Sequence, residues 1–227
     1  MIAVGTFLPE IEIWNLDSSS CDPVAILGSV DLSEKAKAST IQSKYKKNKA
    51  PPLAFSDVTH TDAIMSLSLN PHQSEYLASG SADNTVRIWD LDEVECKATY
   101  QNLHNDKVQV VRWNSLNEQL LLTGGYDGKL NVVDVRDSAS ALKYQLDKSV
   151  SEDIESAIWH PQSEYDFVVT TESGMLYGFD TRKFDKPAFE VKAHKKACSS
   201  AAFSPHIPNM LVTAGTDSKC KIWDVAS

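Results

Sequence analysis

His60, Ser79 and Asp83 are the residue types of an acyl-transfer site, in which a carboxylate orients an imidazole that takes the proton of a serine nucleophile. The set is not unique in the chain. His194, Thr213, Asp217 and Trp223 repeat His60, Ser79, Asp83 and Trp89 134 residues later, and His104, Thr123 and Asp127 form a partial copy between them. A nucleophile that recurs, is exchanged for threonine in one copy and never lies on a Gly-x-Ser-x-Gly elbow does not describe a hydrolase. Other chemistries lack their parts: there is no glycine-rich phosphate loop, and Cys21, Cys96, Cys198 and Cys220 lie far apart with no Cys-x-x-Cys pair. They read as reduced thiols. His72 and His206 share a turn position after Pro71 and Pro205, which makes them surface turn residues rather than metal ligands. No metal, cofactor or small-molecule substrate is expected, and the chain is not read as an enzyme.

The repetition extends beyond these side chains. Leu77–Asp90, Leu121–Asp134 and Leu211–Asp224 align as LASGSADNTVRIWD, LLTGGYDGKLNVVD and LVTAGTDSKCKIWD. The closing aspartates Asp90, Asp134, Asp180 and Asp224 are 44, 46 and 44 residues apart, and His60, His104 and His194 each lie 30 residues before their aspartate. Within one period, apolar and polar residues alternate as in half-buried strands, over 63–69, 76–80, 85–89 and about 96–100. Asn70-Pro71, His160-Pro161 and Ser204-Pro205 punctuate the first hairpin of their units, because proline cannot continue a central strand. The histidine, serine and aspartate are thus carried by loops and strand ends of one recurring four-stranded unit.

Lysine and arginine number 22 against 31 acids in 227 residues, for a net charge of −9. Residues 34–49 hold six lysines and one acid, so this stretch is +5 and the remainder −14. Such a remainder argues against a duplex-binding body, which would spread cations over a face. Lys44, Lys46, Lys47 and Lys49 are therefore the candidates for an RNA-backbone contact or a nucleolar address, with a solvated insertion as the alternative. No apolar run is long enough for a membrane-spanning helix and no signal-peptide pattern follows Met1, so no membrane partner is expected.

A period near 44 residues with four strands, an upstream histidine and a closing Trp-Asp resembles the WD-repeat family, whose units are the blades of a β-propeller. The implied fold is all-β, a partial propeller of about four to five blades: the end of a first blade (1–28), a lysine-rich insertion (29–57), blades at 58–102, 103–147 and 148–192, and an incomplete last blade (193–227). The partial units at both ends suggest a piece of a longer propeller. The resemblance also implies that His, Ser or Thr, Asp and Trp form a structural hydrogen-bond chain, each member worth about 1–3 kcal/mol. Degraded copies carry Val133 in place of tryptophan, Val169, Ser173 and Phe179 without a matching histidine, and Leu8 upstream of Trp14. Those blades are expected to rely on apolar packing.

Particular segments resemble one eukaryotic branch of this family: residues 2–17, the insertion that follows, and residues 60–70, 81–92, 104–109, 121–128, 134–136 and 152–161. That resemblance implies a nuclear, largely nucleolar scaffold that assists ribosomal RNA processing and large-subunit assembly and is linked to chromatin, with pre-ribosomal assembly factors as its protein partners. Residues before the turn aspartates and after the histidines should line one loop face, which nominates Asp62, Asp106, Tyr126, Lys195 and Lys196 for partner binding, with Tyr126 as the anchor. Asp134-Val135-Arg136 and Asp180-Thr181-Arg182 resemble the box of cullin–RING substrate receptors, nominating Arg136 and Arg182 for adaptor binding. The alternative is an arginine paired with its own blade's acid.

Overall fold

A computed structural model describes residues 1–17, 22–28, 59–146 and 152–225. These form 18 strands in five antiparallel sheets, with a single short 3-10 turn at Thr181–Lys183. The first sheet is β1 (Ile2–Gly5), β2 (Ile11–Trp14) and β3 (Ala25–Leu27). The second is β4 (Ile64–Leu69), β5 (Tyr76–Ser81), β6 (Val86–Asp90) and β7 (Glu95–Tyr100). The third runs β8 (Val108–Trp113), β9 (Leu120–Gly125), β10 (Lys129–Asp134) and β11 (Asp137–Gln145). The fourth is β12 (Ile154–Trp159), β13 (Asp166–Thr171), β14 (Met175–Asp180) and β15 (Phe189–Lys192), and the fifth is β16 (Cys198–Phe203), β17 (Met210–Gly215) and β18 (Lys219–Asp224). Each sheet is a meander in chain order, as hairpin-connected blades of a partial β-propeller require.

The cores lie between consecutive sheets. Ile11, Ile13 and Leu27 of the first blade pack on Ile64, Leu77 and Trp89 of the second. Val86 and Ile88 meet Val108, Val111 and Val133 at the next junction. Between blades 3 and 4 the filling is aromatic, with Phe167 stacked on Phe179 at 5.4 Å and Trp159 edge-on to Phe167 at 5.3 Å. A blade has two apolar faces and must bury both, so stacking sheets around an axis satisfies a strand pattern that a lone sheet cannot.

Polar latches run along the end of the blades that carries the first hairpin. Asn70 Nδ2 donates to Glu118 O of the next blade at 3.0 Å, and Asn114 Nδ2 repeats the contact to Glu164 O at 2.9 Å. Each asparagine oxygen also accepts two backbone N–H groups of its own turn, so one buried side chain both shapes the hairpin and joins two blades. In blade 4 the position is His160, whose Nε2 meets Asn209 Oδ1 at 3.2 Å.

Candidate functional site: polar tetrads and the loop face

In blade 2 the chain from turn to indole is closed. His60 Nδ1 donates to Asp83 Oδ2 at 2.9 Å, because the carboxylate can only accept. Nε2 then accepts the Ser79 hydroxyl at 2.7 Å, and the Ser79 oxygen receives the Trp89 indole N–H at 2.8 Å. Asp83 also accepts the Thr61 N–H at 2.9 Å and the Thr85 N–H and hydroxyl at 2.9 and 2.7 Å, which fixes the turn between β5 and β6. Burial works to raise the Asp83 carboxyl, but bonds from His60, Thr85 and Thr61 outweigh it and hold it well below the usual carboxylate range. Burial in turn keeps the His60 imidazole below its ordinary value, against the pull of Asp83.

Blade 5 repeats the circuit: His194 Nδ1 to Asp217 at 2.9 Å, His194 Nε2 to Thr213 Oγ1 at 2.8 Å, and Trp223 Nε1 to Thr213 Oγ1 at 2.9 Å. Blade 3 carries out the same task with a residue that the spacing did not single out. His104 bonds Asp127 at 3.1 Å and Thr123 at 2.8 Å, and Asn131 Nδ2 lies 3.1 Å from His104 Nε2, 3.4 Å from Thr123 Oγ1 and 3.2 Å from Leu103 O. With valine at the tryptophan position, the donor comes from two residues earlier on the same strand. Val133, Val169 and Phe179 are buried in the apolar cores as expected, and this polar circuit is added to that packing. In blade 4 as well, the Ser173 hydroxyl meets both oxygens of Glu152 at 2.8 Å. Trp14 of the first blade turns its indole N–H to Glu12 at 2.9 Å.

These sets have hydrolase composition without hydrolase access. Ser79 and His60 are 0% exposed, and the serine oxygen that would attack a carbonyl already receives the indole N–H. Every donor along the chain has its acceptor, so the arrangement is a clamp between a turn and two strands. Among the described residues no group of three His, Cys, Asp or Glu is placed to hold a metal, and no helix is long and apolar enough to cross a membrane. Cys198 is buried, and burial pushes its thiol up, away from a reactive thiolate.

The turns held by the tetrads open on a common loop face with a repeated backbone contact. Ala82, Tyr126, Glu172 and Thr216, at the residue before each turn aspartate or serine, donate their N–H to the carbonyls of Ala63, Lys107, Asp153 and Ala197 at 2.9–3.0 Å. Two residues further on, each inner strand carries one extra residue: Met65, Gln109, Glu155 and Ser199 lie where the register slips. Such bulges re-aim side chains at strand ends. Three positions per blade therefore line the rim, and the inner-strand and bulge positions were invisible to a reading by offset from histidine. Of the nominated residues, Asp62, Asp106, Lys195 and Lys196 are exposed and Tyr126 is half-buried. Asp106 and Tyr126 are electrostatic neighbours, whereas Lys195 and Lys196 belong to blade 5.

Arg136 and Arg182 are held by their own blades. Arg136 forks onto Asp134 at 3.0 and 2.6 Å, and Arg182 onto Asp180 at 2.9 and 2.8 Å, with its guanidinium 4.6 Å from the Tyr165 ring centroid. His72 reaches Ser115 O at 3.0 Å from an exposed turn. Lys44, Lys46, Lys47 and Lys49 lie outside the described residues.

The WD domain, G-beta repeat family matches residues 54–90 and 185–224, which contain the two complete tetrads. The chain is similar to periodic tryptophan protein 1 of Saccharomyces cerevisiae, 37% identical over 97% of this chain and 38% of that protein. It is 31% identical to the periodic tryptophan protein 1 homolog of Drosophila melanogaster, over 99% of this chain and 45% of that protein. A more distant match, to E3 ubiquitin-protein ligase COP1 of Arabidopsis thaliana, is 26% identical over 70% of this chain and 22% of that protein. The chain thus spans less than half the length of these relatives. Repeated four-stranded sheets, tetrads at one spacing and these similarities together place the chain in the WD-repeat family, alongside periodic tryptophan protein 1.

Proposed function

We propose that this chain is part of a non-enzymatic scaffold of the nucleus, chiefly the nucleolus, that assists ribosomal RNA processing and large-subunit assembly. It does so by holding pre-ribosomal assembly factors on its loop face, with RNA contact supplied by the lysine-rich insertion. The observation that carries this reading is the similarity to periodic tryptophan protein 1 over 97–99% of the chain, which spans the insertion as well as the blades. The buried tetrads agree with it, since they spend every candidate catalytic group on blade geometry.

The test is affinity purification of the full-length parent protein, with and without Lys44, Lys46, Lys47 and Lys49 changed to alanine. Recovery of pre-ribosomal RNA and large-subunit assembly factors is expected, with RNA lost from the variant. A cullin adaptor without ribosomal material would overturn the reading.

A second reading, a substrate receptor of a cullin–RING ubiquitin ligase, draws on the paired Asp-x-Arg boxes and the similarity to COP1. The Arg136 and Arg182 side chains are 68% and 60% exposed, yet each guanidinium already spends two donors on its own aspartate. An adaptor would have to use the remaining edge. Adaptor binding abolished by Arg136→Ala and Arg182→Ala would favour this reading.

A further inference from the structure

The rim of the loop face changes character from blade to blade. Blade 2 offers Ala63, Met65 and Ala82; blade 5 offers Ala197, Ser199 and Thr216. Blade 4 alone fills all three equivalent positions with acids, Asp153, Glu155 and Glu172. Beside them, the blade 3 positions are Lys107, Gln109 and Tyr126.

Two independent features set this stretch apart from an ordinary solvated acidic surface. The first is Tyr126: an aromatic ring, half-buried at the head of a turn whose Asp127 is tied to His104, so the ring's backbone is fixed before any partner arrives. A Cβ on Gly124 would meet the Ile154 side chain at 2.9 Å and one on Gly128 the Glu152 carbonyl oxygen at 3.2 Å, so the turn carrying Tyr126 lies against the start of blade 4. Its phenol is pushed up first by burial and then by Glu155, Asp153, Glu172 and Asp106. The second is Gln109, at the blade 3 bulge equivalent to Glu155, whose side-chain oxygen is out of reach of solvent and accepts no hydrogen bond. The Glu155 carboxyl is itself raised, by burial and then by Glu172 and Asp153. Rim acids and a π face thus adjoin across blades 3 and 4, and Lys107 is the single cation among the six rim positions of the two blades.

We infer that the rim of blades 3 and 4 is a docking surface for a lysine- or arginine-rich peptide segment of a protein partner, with one cationic side chain over the Tyr126 ring and between Glu155 and Glu172. The inference rests on the scaffold reading and names the chemistry of one partner. A cation is the occupant that fits: it relieves the like-charge crowding of the triplet and is attracted by the ring face. An acidic segment or a nucleic-acid backbone would meet repulsion from the same acids. Lys195 and Lys196, exposed one blade further on, repel a basic segment and turn its path away from blade 5.

The test is fluorescence anisotropy of the full chain with a short labelled peptide alternating lysine and glycine, against the same peptide with glutamine for lysine. The lysine peptide is expected to bind, and Glu155→Gln with Glu172→Gln to weaken it by about tenfold or more. Tyr126→Ala should weaken it comparably while Tyr126→Phe retains it, and Lys195→Ala with Lys196→Ala should leave it unchanged or tighter. Equal binding of the glutamine peptide, or no loss in the double glutamate variant, overturns the inference. The thermal midpoint of the double variant is expected at or above that of the unaltered chain, because crowded charges are removed. Glu155→Gln alone serves if the double loses its fold. Purified from cells, full-length protein with the double substitution distinguishes the two levels of the argument. Retention of all pre-ribosomal factors there, together with peptide binding that ignores the acids, removes the docking surface and keeps the scaffold. Absence of those factors from the unaltered protein removes the scaffold reading whatever the peptide does.

Discussion

Asn131 Nδ2 stands 3.1 Å from His104 Nε2, on the side of the imidazole where blades 2 and 5 bring a tryptophan indole to the shared hydroxyl. The substitution is functional rather than positional: Asn131 is two residues from Val133, which occupies the tryptophan position, and both face the same side of β10. The two solutions differ in what remains when they are cut. Removing Asn131 leaves His104 Nε2 with the Thr123 hydroxyl at 2.8 Å and deletes a buried Asn131 oxygen that accepts nothing. Removing Ser79 leaves both His60 Nε2 and the Trp89 indole unpaired.

Ser79→Ala is therefore expected to cost about 2–3 kcal/mol and Asn131→Ala about 1 kcal/mol. Urea denaturation of the full chain measures both. Equal losses, or a larger loss at Asn131, would show that the circuits are not closed as described.

Gly174 makes a second prediction, because it lets blade 5 come close to blade 4. Its φ is +87°, and a Cβ there would clash with the Lys196 carbonyl oxygen and stand 2.5 Å from the His194 carbonyl oxygen. Backbone on the far side cannot swing away, and His194 N already donates to Gly174 O at 3.0 Å. Gly128, with φ +68°, has a side-chain nitrogen of Gln145 at 3.1 Å and Glu152 O at 3.2 Å as its nearest neighbours. Gly174→Ala is expected to cost more than about 3 kcal/mol and Gly128→Ala about 1 kcal/mol, read as urea midpoints.

Repeat spacing, tetrads and proline-marked hairpins were legible because they depend on periodicity and on residue types with one good use. Asn131 was not, since an asparagine in a strand reads as a weak strand former until its neighbours are known. The rim was half legible: Tyr126 follows from its turn, but Glu155 becomes a rim residue only through a bulge, and a one-residue slip leaves no mark in an alternating pattern. Ser173 lacked a histidine, and its partner Glu152 stands at the repeat position of Asp62 and Asp106, where the spacing suggests a loop-face residue rather than a turn partner.

The latch asparagines make a third prediction. Asn114 is 0% exposed, its oxygen caps its own turn through Leu116 N and Asn117 N, and its Nδ2 reaches Glu164 O. Asn114→Asp keeps the cap but turns the donor into a carboxylate facing a carbonyl oxygen. Asn114→Asp is expected to destabilise the chain by about 2 kcal/mol at neutral pH, partly recovered in mild acid as the carboxyl protonates and regains a donor. A melt of this variant that is independent of pH would remove the latch from the account.

The acid limb of stability is set by opposing groups. Asp83, Asp127 and Asp217 are all held below the ordinary 3.8, so the folded chain binds fewer protons than the unfolded one, and their contribution is full above that value and lost progressively as pH falls below it through their lowered folded values. His60 is held below 6.5, so acid favours the unfolded state there as well, starting near that pH. Glu155 has the opposite sign: raised above 4.5 by burial, Glu172 and Asp153, it takes up a proton more readily when folded and is stabilising in mild acid. The thermal midpoint is thus expected to be level near neutrality, to decline from about pH 6 and to fall steeply below about pH 4. In Glu155→Gln the decline should be steeper between pH 6 and 4, because the compensating proton site is gone while the tetrad groups remain. A variant whose pH profile overlays that of the unaltered chain would mean that the blade 4 acids are too well solvated to crowd one another.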